Sequence, residues 1–456
     1  MVKKEFKNPA SFKDPSGYVF MQDHKVFRRV RPTYFSEYEY LINSGLYRQL
    51  TAEKLLIPHK LIKKNKEELI IEPVQIPFIS YPYEWSFSQF KDAAIQTLKI
   101  QKLALDCGMS LKDASSYNIQ FFEGGPILID TLSFERYQQG QGWKAYRQFC
   151  MHFLSPLILM SLVDIRLNKL MQVYLDGIPL DLTNSLLHYK SWFNLGALIH
   201  IKAHAKAEFK FSDIDLSKST KPMKLSSLYG LIDHLEGMIK KLKLRTQLSE
   251  WADYYKDTNY SAKAFVHKKH IIKSLINQIK PKQIWDLGAN DGTFSRLVSE
   301  RNSVISLDID PLAVDYNYRF NKSHHIQNCL PLVFDLTNPS PGLGWANMER
   351  LSLIRRGPTD LIMVLALVHH LVISNNLNFE MIADFFSKIT RYLIIEFVPK
   401  EDSQVQKLLR NRQDIFTHYN LTNFEKDFKR KFTILSSQLI KDSTRRIYLM
   451  KTTRFF

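Results

Sequence analysis

The segment Ile284-Trp-Asp-Leu-Gly-Ala-Asn-Asp-Gly-Thr-Phe-Ser295 combines a carboxylate, Asp286, with two glycines, Gly288 and Gly292, and an intervening Asn290. The apolar residues around Asp286 read as a β-strand, and Phe294, Leu297 and Val298 open a helical pattern. A strand, a glycine turn and a helix start form the ligand edge of a doubly wound α/β sheet. Glycine there predicts close approach of a ligand to the backbone, which a Cβ would block. The spacing Asp-x-Gly-x-Asn-x-Gly differs from the GxGxxG that seats a pyrophosphate on a helix N-terminus, and Asn290-Asp291 would set a carboxylate in that place. A dinucleotide is therefore disfavoured. Two more acids follow in order: Asp308 ends Ser303-Val-Ile-Ser-Leu-Asp308, and Asp335 ends Pro331-Leu-Val-Phe-Asp335. One acid at a strand end is an ordinary turn residue, but three in succession, each ending an apolar run, mark a site. A fourth strand leads to Leu365-Ala-Leu-Val-His-His370, which adds Leu367 to the expected wall. His369 and His370 are candidate bases near neutral pH, unless one of them packs against the sheet or caps the next helix. Glu396, ending Tyr392-Leu-Ile-Ile-Glu396, is another candidate base near the same face.

The elements that must hold these residues alternate from His267 onward. Helix 267–279 is followed by strand 283–287, helix 293–300, strand 303–308, helix 311–319, strand 331–335, helix 346–355, strand 359–366, helix 378–390 and strand 391–397. Alternation of this kind predicts a parallel sheet with helices on both faces. Strands 431–440 and 445–451 around Lys-Asp-Ser-Thr predict a terminal hairpin. The breaker-rich stretch 338–347, with Trp345, reads as a lid or a plain surface loop. The aromatic segment 251–260 reads as a cap over the site or as core.

The first half reads as α+β: a hairpin over 17–30, a helix over 34–55, a strand-rich stretch over 68–83, a helix over 87–107, short strands 118–122 and 126–129 around Glu123-Gly124-Gly125, and apolar helix from 143 to about 205. The polar stretch 209–223 reads as a linker, and a helix over 225–242 as a bridge to the second half. The expected division is 1–208, a linker and bridging helix over 209–250, and 251–456.

Net charge is +18 over 456 residues, which favours anionic partners, yet the basic runs are scattered and interrupted by acids. Cys107, Cys150 and Cys329 are widely spaced and support neither a zinc site nor a disulfide framework. The N-terminus lacks the apolar region of a secretory signal. The apolar run 148–163 is too short for a bilayer and reads as a buried helix. The chain is expected to be cytoplasmic, with its oligomeric state left open.

The Asp286–Gly292 turn resembles motif I of class I S-adenosylmethionine (SAM) methyltransferases, and the terminal hairpin resembles the reversed last strand of their seven-stranded, Rossmann-like sheet. The resemblance implies SAM as cofactor. Asp286 would hold its amino group, Asp308 its ribose hydroxyls and Asp335 its adenine amino group. Gly288, Asn290, Gly292 and Leu367 would complete the wall, and the methyltransferase domain would need no metal. No Asn/Asp-Pro-Pro-Tyr follows the fourth strand, which tilts the acceptor from nitrogen towards oxygen. Leu111-Lys-Asp-Ala-Ser-Ser-Tyr-Asn118, a hairpin, and Ile127-Leu-Ile-Asp130 resemble the catalytic loop and metal strand of kinase-like phosphotransferases. That likeness implies Asp113 orienting a hydroxyl, with Asn118 and Asp130 holding Mg²⁺ under ATP. Leu111 stands where the histidine belongs, Thr131-Leu132 follow the metal aspartate, and Lys25, Arg28 and Arg29 are the nearby cations. The blocks YPYEWSFSQFKDAA (81–94), LKDASSYNIQF (111–121), ILIDTLSFE (127–135), WDLGANDGTFS (285–295), LALVHHLVISNN (365–376) and IIEFVPKEDS (394–403) are similar to large bacterial methyltransferases of nodulation and surface-polysaccharide functions. That similarity implies a small or glycan-like hydroxylated acceptor, recognised with help from the N-terminal region. Methylation of RNA or a ribosomal protein is one alternative, although no RNA-binding module is present and nucleic acid is not the favoured partner. An active N-terminal phosphotransferase is another.

Overall fold

The computed structural model describes residues 5–187, 200–201, 222–244, 261–410 and 412–454. Most of the expected linker and the whole aromatic segment 251–260 lie outside the described residues. Contacts divide the chain into two units, Met1–Thr246 with Leu343–Arg350, and Gln247–Gly342 with Leu351–Phe456.

The first unit opens with an antiparallel sheet of β1 (Phe6–Lys7), β2 (Gly17–Gln22), β3 (Lys25–Val30), β4 (His59–Lys64) and β5 (Leu69–Pro73), in the order β1-β2-β3-β5-β4. The β2–β3 turn uses Asp23 and His24 at positive φ. The helix expected over 34–55 is two helices, Phe35–Asn43 and Leu46–Ala52, because Gly45 takes φ +83° between them. Helix Phe87–Asp106 starts at a capping box, in which the Gln89 side chain accepts the Ser86 amide at 2.9 Å. β6 (Met109–Leu111) pairs with β9 (Phe134–Arg136), and β7 (Ile119–Phe122) pairs with β8 (Gly125–Leu128). The apolar run 148–163 is almost wholly buried, in short pieces broken by a π-turn at Cys150–Leu154. Helix Leu225–Lys241, expected as a bridge, belongs to the first unit. It packs on Phe87–Asp106, with Lys102 reaching Asp233 at 2.5 Å and Glu236 at 2.6 Å.

The second unit is built on a seven-stranded sheet of described residues: β10 (Gln283–Leu287), β11 (Ser303–Asp308), β12 (Cys329–Val333), β13 (Thr359–Val364), β14 (Thr390–Phe397), β15 (Phe432–Leu439) and β16 (Arg446–Thr452). Its order is β12-β11-β10-β13-β14-β16-β15. β10 to β14 are parallel, while β16 runs antiparallel to both β14 and β15. The chain winds outward on both sides of β10, so the switch point lies above that strand, where open sheets bind ligands. Helices Ala262–Ile279, Thr293–Val298, Pro311–Ser323 and Phe379–Ile389 cover it. Ile271, Leu275, Val304, Leu361 and Met363 are among the core residues between the first of these helices and the strands. Two helices, Ser403–Leu409 and Leu421–Lys429, were not anticipated. The helix expected over 346–355 is absent. A 3₁₀ turn at Trp345–Asn347 and a single turn at Leu353–Arg356 replace it, after a stretch rich in Pro and Gly. Residues 343–350 pack within the first unit, where the Arg350 guanidinium lies 4.1 Å from the Tyr117 ring. Among the described residues no helix is long and apolar enough to cross a membrane.

Candidate functional site

The loops after β10, β11, β12 and β13 enclose a cavity of about 260 Å³. Asp286, Asp308 and Asp335 all reach its wall, joined by Gly288, Asn290, Leu367 and His370. The sheet explains the convergence: β10 pairs with β11 and β13, and β11 with β12, all in parallel, so their carboxyl ends and the loops beyond share one edge.

Asp286 is 2% exposed and accepts the Ser295 hydroxyl at 2.6 Å. Burial pushes its carboxyl up to about 7, against that hydrogen bond, and the nearby Asp308 adds to the rise. Asp308 accepts the Asn290 amide at 2.7 Å and the Asp310 amide at 2.9 Å, so its carboxylate braces the glycine turn. Burial raises it to about 6 despite those donors. Each carboxylate oxygen has two lone pairs, which leaves Asp308 able to accept ligand hydroxyls as well. β12 ends at Val333, two residues earlier than the sequence pattern suggested. Asp335 therefore lies in the following turn, where it accepts the Thr337 amide at 2.8 Å and hydroxyl at 2.6 Å.

The two glycines do different work. Gly288, at φ +76°, faces Leu367, and a Cβ there would come within 3.1 Å of that side chain. Gly292, at φ +81°, is not in the wall, contrary to expectation. A Cβ on it would lie 2.2 Å from the Asn317 amide, so this glycine seats helix Thr293–Val298 against helix Pro311–Ser323 and makes no room for a ligand. Asn290 (φ +49°) and Ala366 (φ +51°) also adopt the left-handed region beside the cavity, and for alanine this costs about 1–2 kcal/mol.

The candidate bases separate. His370 reaches the wall, and burial lowers its imidazole to about 4, so it is neutral at pH 7. His369 is fully buried and outside the wall; among the described residues neither ring nitrogen has a hydrogen-bond partner, and burial holds it well below the usual imidazole range. Glu396 is also outside the wall and fully buried. One of its oxygens meets Lys268 Nζ at 2.6 Å, and the other lies 3.7 Å from Arg445, which binds Asp402 at 2.7 and 2.9 Å. A carboxylate held between two cations is a poor proton acceptor, so Glu396 is not a base here.

The wall also contains Lys268, Phe294, Ile309 and Phe334, none of which was singled out from sequence. Lys268 had a legible signal. It interrupts an apolar helical face formed by Ala264, Ile271, Ile272 and Leu275.

In the first unit, Asp113, Asn118 and Asp130 do converge. Asn118 bonds Asp113 and lies 3.4 Å from Ser133 Oγ, and Ser133 in turn donates to Asp130 at 2.8 Å. The donors around them do not fit Mg-ATP. The Arg28 guanidinium bonds Asp130 directly, where a metal would need that carboxylate, and the Leu132 amide takes the same oxygen at 2.8 Å. Asp113 is occupied by the Gln148 amide at 2.8 Å and the Ser115 amide at 2.9 Å. Among the described residues no group of three or more His, Cys, Asp or Glu could hold a metal.

No family model matches the chain. It is 33% identical over 454 residues to the nodulation protein NoeA of Rhizobium meliloti (strain 1021), covering 96% of this chain and 94% of that protein. Similar solved structures include the magnesium protoporphyrin IX methyltransferase ChlM from Synechocystis PCC 6803 with bound SAH, at 17% identity and TM-score 0.32 over 44% of this chain and 92% of that one. Another is the N-methyltransferase NodS from Bradyrhizobium japonicum WM9, at 11% identity and TM-score 0.32 over 42% of this chain and 99% of that one.

Proposed function

The chain belongs to the family of the nodulation protein NoeA, and from that premise we propose that it is a SAM-dependent methyltransferase whose cofactor occupies the cavity above β10. The observation that carries this reading is the opening of Asp286, Asp308 and Asp335, at or just beyond the ends of three adjacent parallel strands, into one cavity beside a glycine turn. The donor set fits the group. Buried carboxylates suit an ammonium and vicinal hydroxyls, Phe294, Ile309 and Phe334 suit apolar faces of a nucleoside, and Gly288 keeps the turn low beneath it. When bound, the cofactor supplies a methyl group on a sulfonium for in-line displacement.

The protein's own part is alignment and proton management. Asp286 accepts from the ammonium, Asp308 from the ribose hydroxyls and Asp335 from the adenine amino group. His370, neutral and in the wall, accepts a hydrogen bond from the acceptor hydroxyl and orients its lone pair towards the methyl group. Ser374 and Asn375, also in the wall, offer polar contacts to a hydroxylated acceptor. We assign that acceptor to the small or glycan-like hydroxylated class. The region up to residue 208 is assigned its recognition, and residues 251–456 the transfer. Phosphoryl transfer is not assigned to the first unit, because Arg28 holds Asp130.

Calorimetry with S-adenosylhomocysteine tests the cofactor. The expected result is micromolar binding that Asp308→Ala weakens by about 1–3 kcal/mol, the cost of unpairing buried hydroxyls; absence of binding to the intact chain sinks the reading. Labelled methyl groups traced into cell extracts, with and without the protein, test the acceptor class.

A further inference from the structure

The cavity above β10 is rich in carboxylates, yet the ligand assigned to it carries a carboxylate of its own, on the amino-acid tail. The usual answer, the backbone amides of the glycine turn, does not apply here. The Gly288 and Ala289 amides donate to the Leu307 carbonyl at 2.8 and 3.1 Å. The Asn290 amide donates to Asp308 at 2.7 Å, and the Asp291 amide to the Asn290 side chain at 2.7 Å. Helix Thr293–Val298 is a six-residue turn whose first amide already bonds Asp291 at 2.9 Å. With the turn amides committed, a carboxylate needs a side-chain cation.

Among the described residues, Lys268 is the lysine or arginine in the cavity wall. It projects from helix Ala262–Ile279, is 2% exposed, and shares the cavity wall with Asp286; burial lowers the pKa of its ammonium, and the charge of Glu396 opposes that shift. Its Nζ sits 4.7 Å from the centre of the Phe294 ring and 2.6 Å from Glu396. Glu396 is in turn braced by Arg445, and Arg445 by Asp402. The outcome is an ammonium held by Glu396 in the same wall as the acid assigned the ligand's amino group.

We propose that Lys268 is the receptor for the carboxylate of the cofactor's amino-acid tail, and that the Lys268–Asp286 pair makes the site select nucleosides bearing a zwitterionic amino acid. An ammonium has three N–H donors, so a bond to Glu396 is compatible with a second to the ligand. The inference rests on the methyltransferase reading and deepens it. Glu396, fully buried and outside the wall, holds Lys268, and Arg445 braces Glu396.

The test measures three ligands by calorimetry: S-adenosylhomocysteine, its decarboxylated analogue, and 5′-methylthioadenosine, which lacks the whole tail. The intact protein is expected to prefer S-adenosylhomocysteine to the decarboxylated analogue by at least tenfold. Lys268→Met should weaken S-adenosylhomocysteine at least tenfold, leave the other two within threefold, and so erase that preference. Lys268→Met with Glu396→Gln, which removes the opposite charge together with its partner, covers the case in which the single variant does not fold, and retained 5′-methylthioadenosine binding reports an intact cavity. If either folded variant keeps the preference for the carboxylated ligand, or the intact protein shows none, the assignment of Lys268 is overturned while the methyltransferase reading stands. If the intact protein binds none of the three, both fall.

Discussion

Replacing Asp286 by Asn should make the protein more stable and a worse binder, and the size of each effect follows from the site. Burial moves the Asp286 carboxyl from its ordinary 3.8 to about 7. The folded state therefore holds this proton more tightly than the unfolded state does. Below pH 3.8 both states are protonated and nothing is lost. As pH rises towards 7 the unfolded carboxyl ionises first, and stability falls. Above about 7 the loss is complete, at about 4 kcal/mol as an upper figure. Asparagine keeps the shape, still accepts the Ser295 hydroxyl, and removes the charge. At pH 8 Asp286→Asn should gain about 2–4 kcal/mol, and at pH 5 less than half of that. For a unit of roughly 200 residues this is a rise of about 5–10 °C in Tm at pH 8.

Scanning calorimetry from pH 4.5 to 8.5 reads the effect, and the transition that shifts on adding S-adenosylhomocysteine belongs to the second unit. Affinity should move the other way. Losing a charged acceptor for the ligand's ammonium costs about 1.5–3 kcal/mol, or roughly 10- to 100-fold in Kd. A variant whose Tm gain is the same at pH 5 and pH 8 would show that the carboxylate is not strained by burial. Unchanged affinity would remove Asp286 from the binding surface.

Three further outcomes are expected. Gly292→Ala should lower Tm by more than 5 °C, because its Cβ would displace the Asn317 amide from Ser306 (2.9 Å) and Arg296 (3.0 Å); Gly288→Ala, which meets the Leu367 side chain at 3.1–3.4 Å, should cost less stability but more ligand affinity, and equal effects on both counts would contradict the separation of their roles. His369→Leu should be neutral or stabilising by about 1 kcal/mol and leave S-adenosylhomocysteine binding unchanged, since the ring bonds no described residue, whereas His370→Leu should keep binding within threefold and reduce transfer of labelled methyl groups; the reverse order of effects would exchange their assignments. Arg445→Met leaves Asp402 without its bidentate partner and should destabilise the second unit by about 3–5 kcal/mol in denaturant titration, with a loss under 1 kcal/mol indicating that the cluster is not a structural brace.

The second half was legible because each β-strand there is a compact apolar run ended by a polar turn, and parallel strands of that kind fix both the sheet and the edge on which its loops meet. Asp286, Asp308, Asp335 and Leu367 were named from the sequence, and all four line the cavity. The reading failed where local pattern and packing disagree. Phe334 extended the apparent β12 past Val333, which put Asp335 at a strand end when it lies in a turn. The helix read over 34–55 runs across Ser44-Gly45, a pair that commonly stops a helix and does so here. Asn338 to Gly344 carries enough breakers to forbid the helix assigned just after it. Leu225–Lys241 was read as a bridge from its place between the halves, and sequence does not say which half supplies the partner for its apolar face. Lys268 and Glu396 stand 128 positions apart, and nothing in either local segment announces that they meet.

Glu396 shows why an acid at the end of a strand has two fates in such a sheet. β10 and β11 have parallel neighbours, so the loops beyond their ends carry turn residues and more acids, and a carboxylate there stays open to the cavity and is raised by its surroundings. β14 has β16 on one side running the other way, with Glu396 opposite Ile447 and Phe397 opposite Arg446. The start of β16 thus lies against the end of β14, and Arg445, the residue just before β16, arrives beside Glu396. A helix supplies Lys268 from another direction, and the charge is neutralised before any ligand is considered. The reversed strand therefore sorts the four strand-end or near-end acids, leaving Asp286, Asp308 and Asp335 in the cavity wall and turning Glu396 into an anchor for Lys268. Sequence gives the acids and the strand order sets their roles, so a chain with the same residues on an all-parallel edge would present a fourth open carboxylate in place of a fixed ammonium.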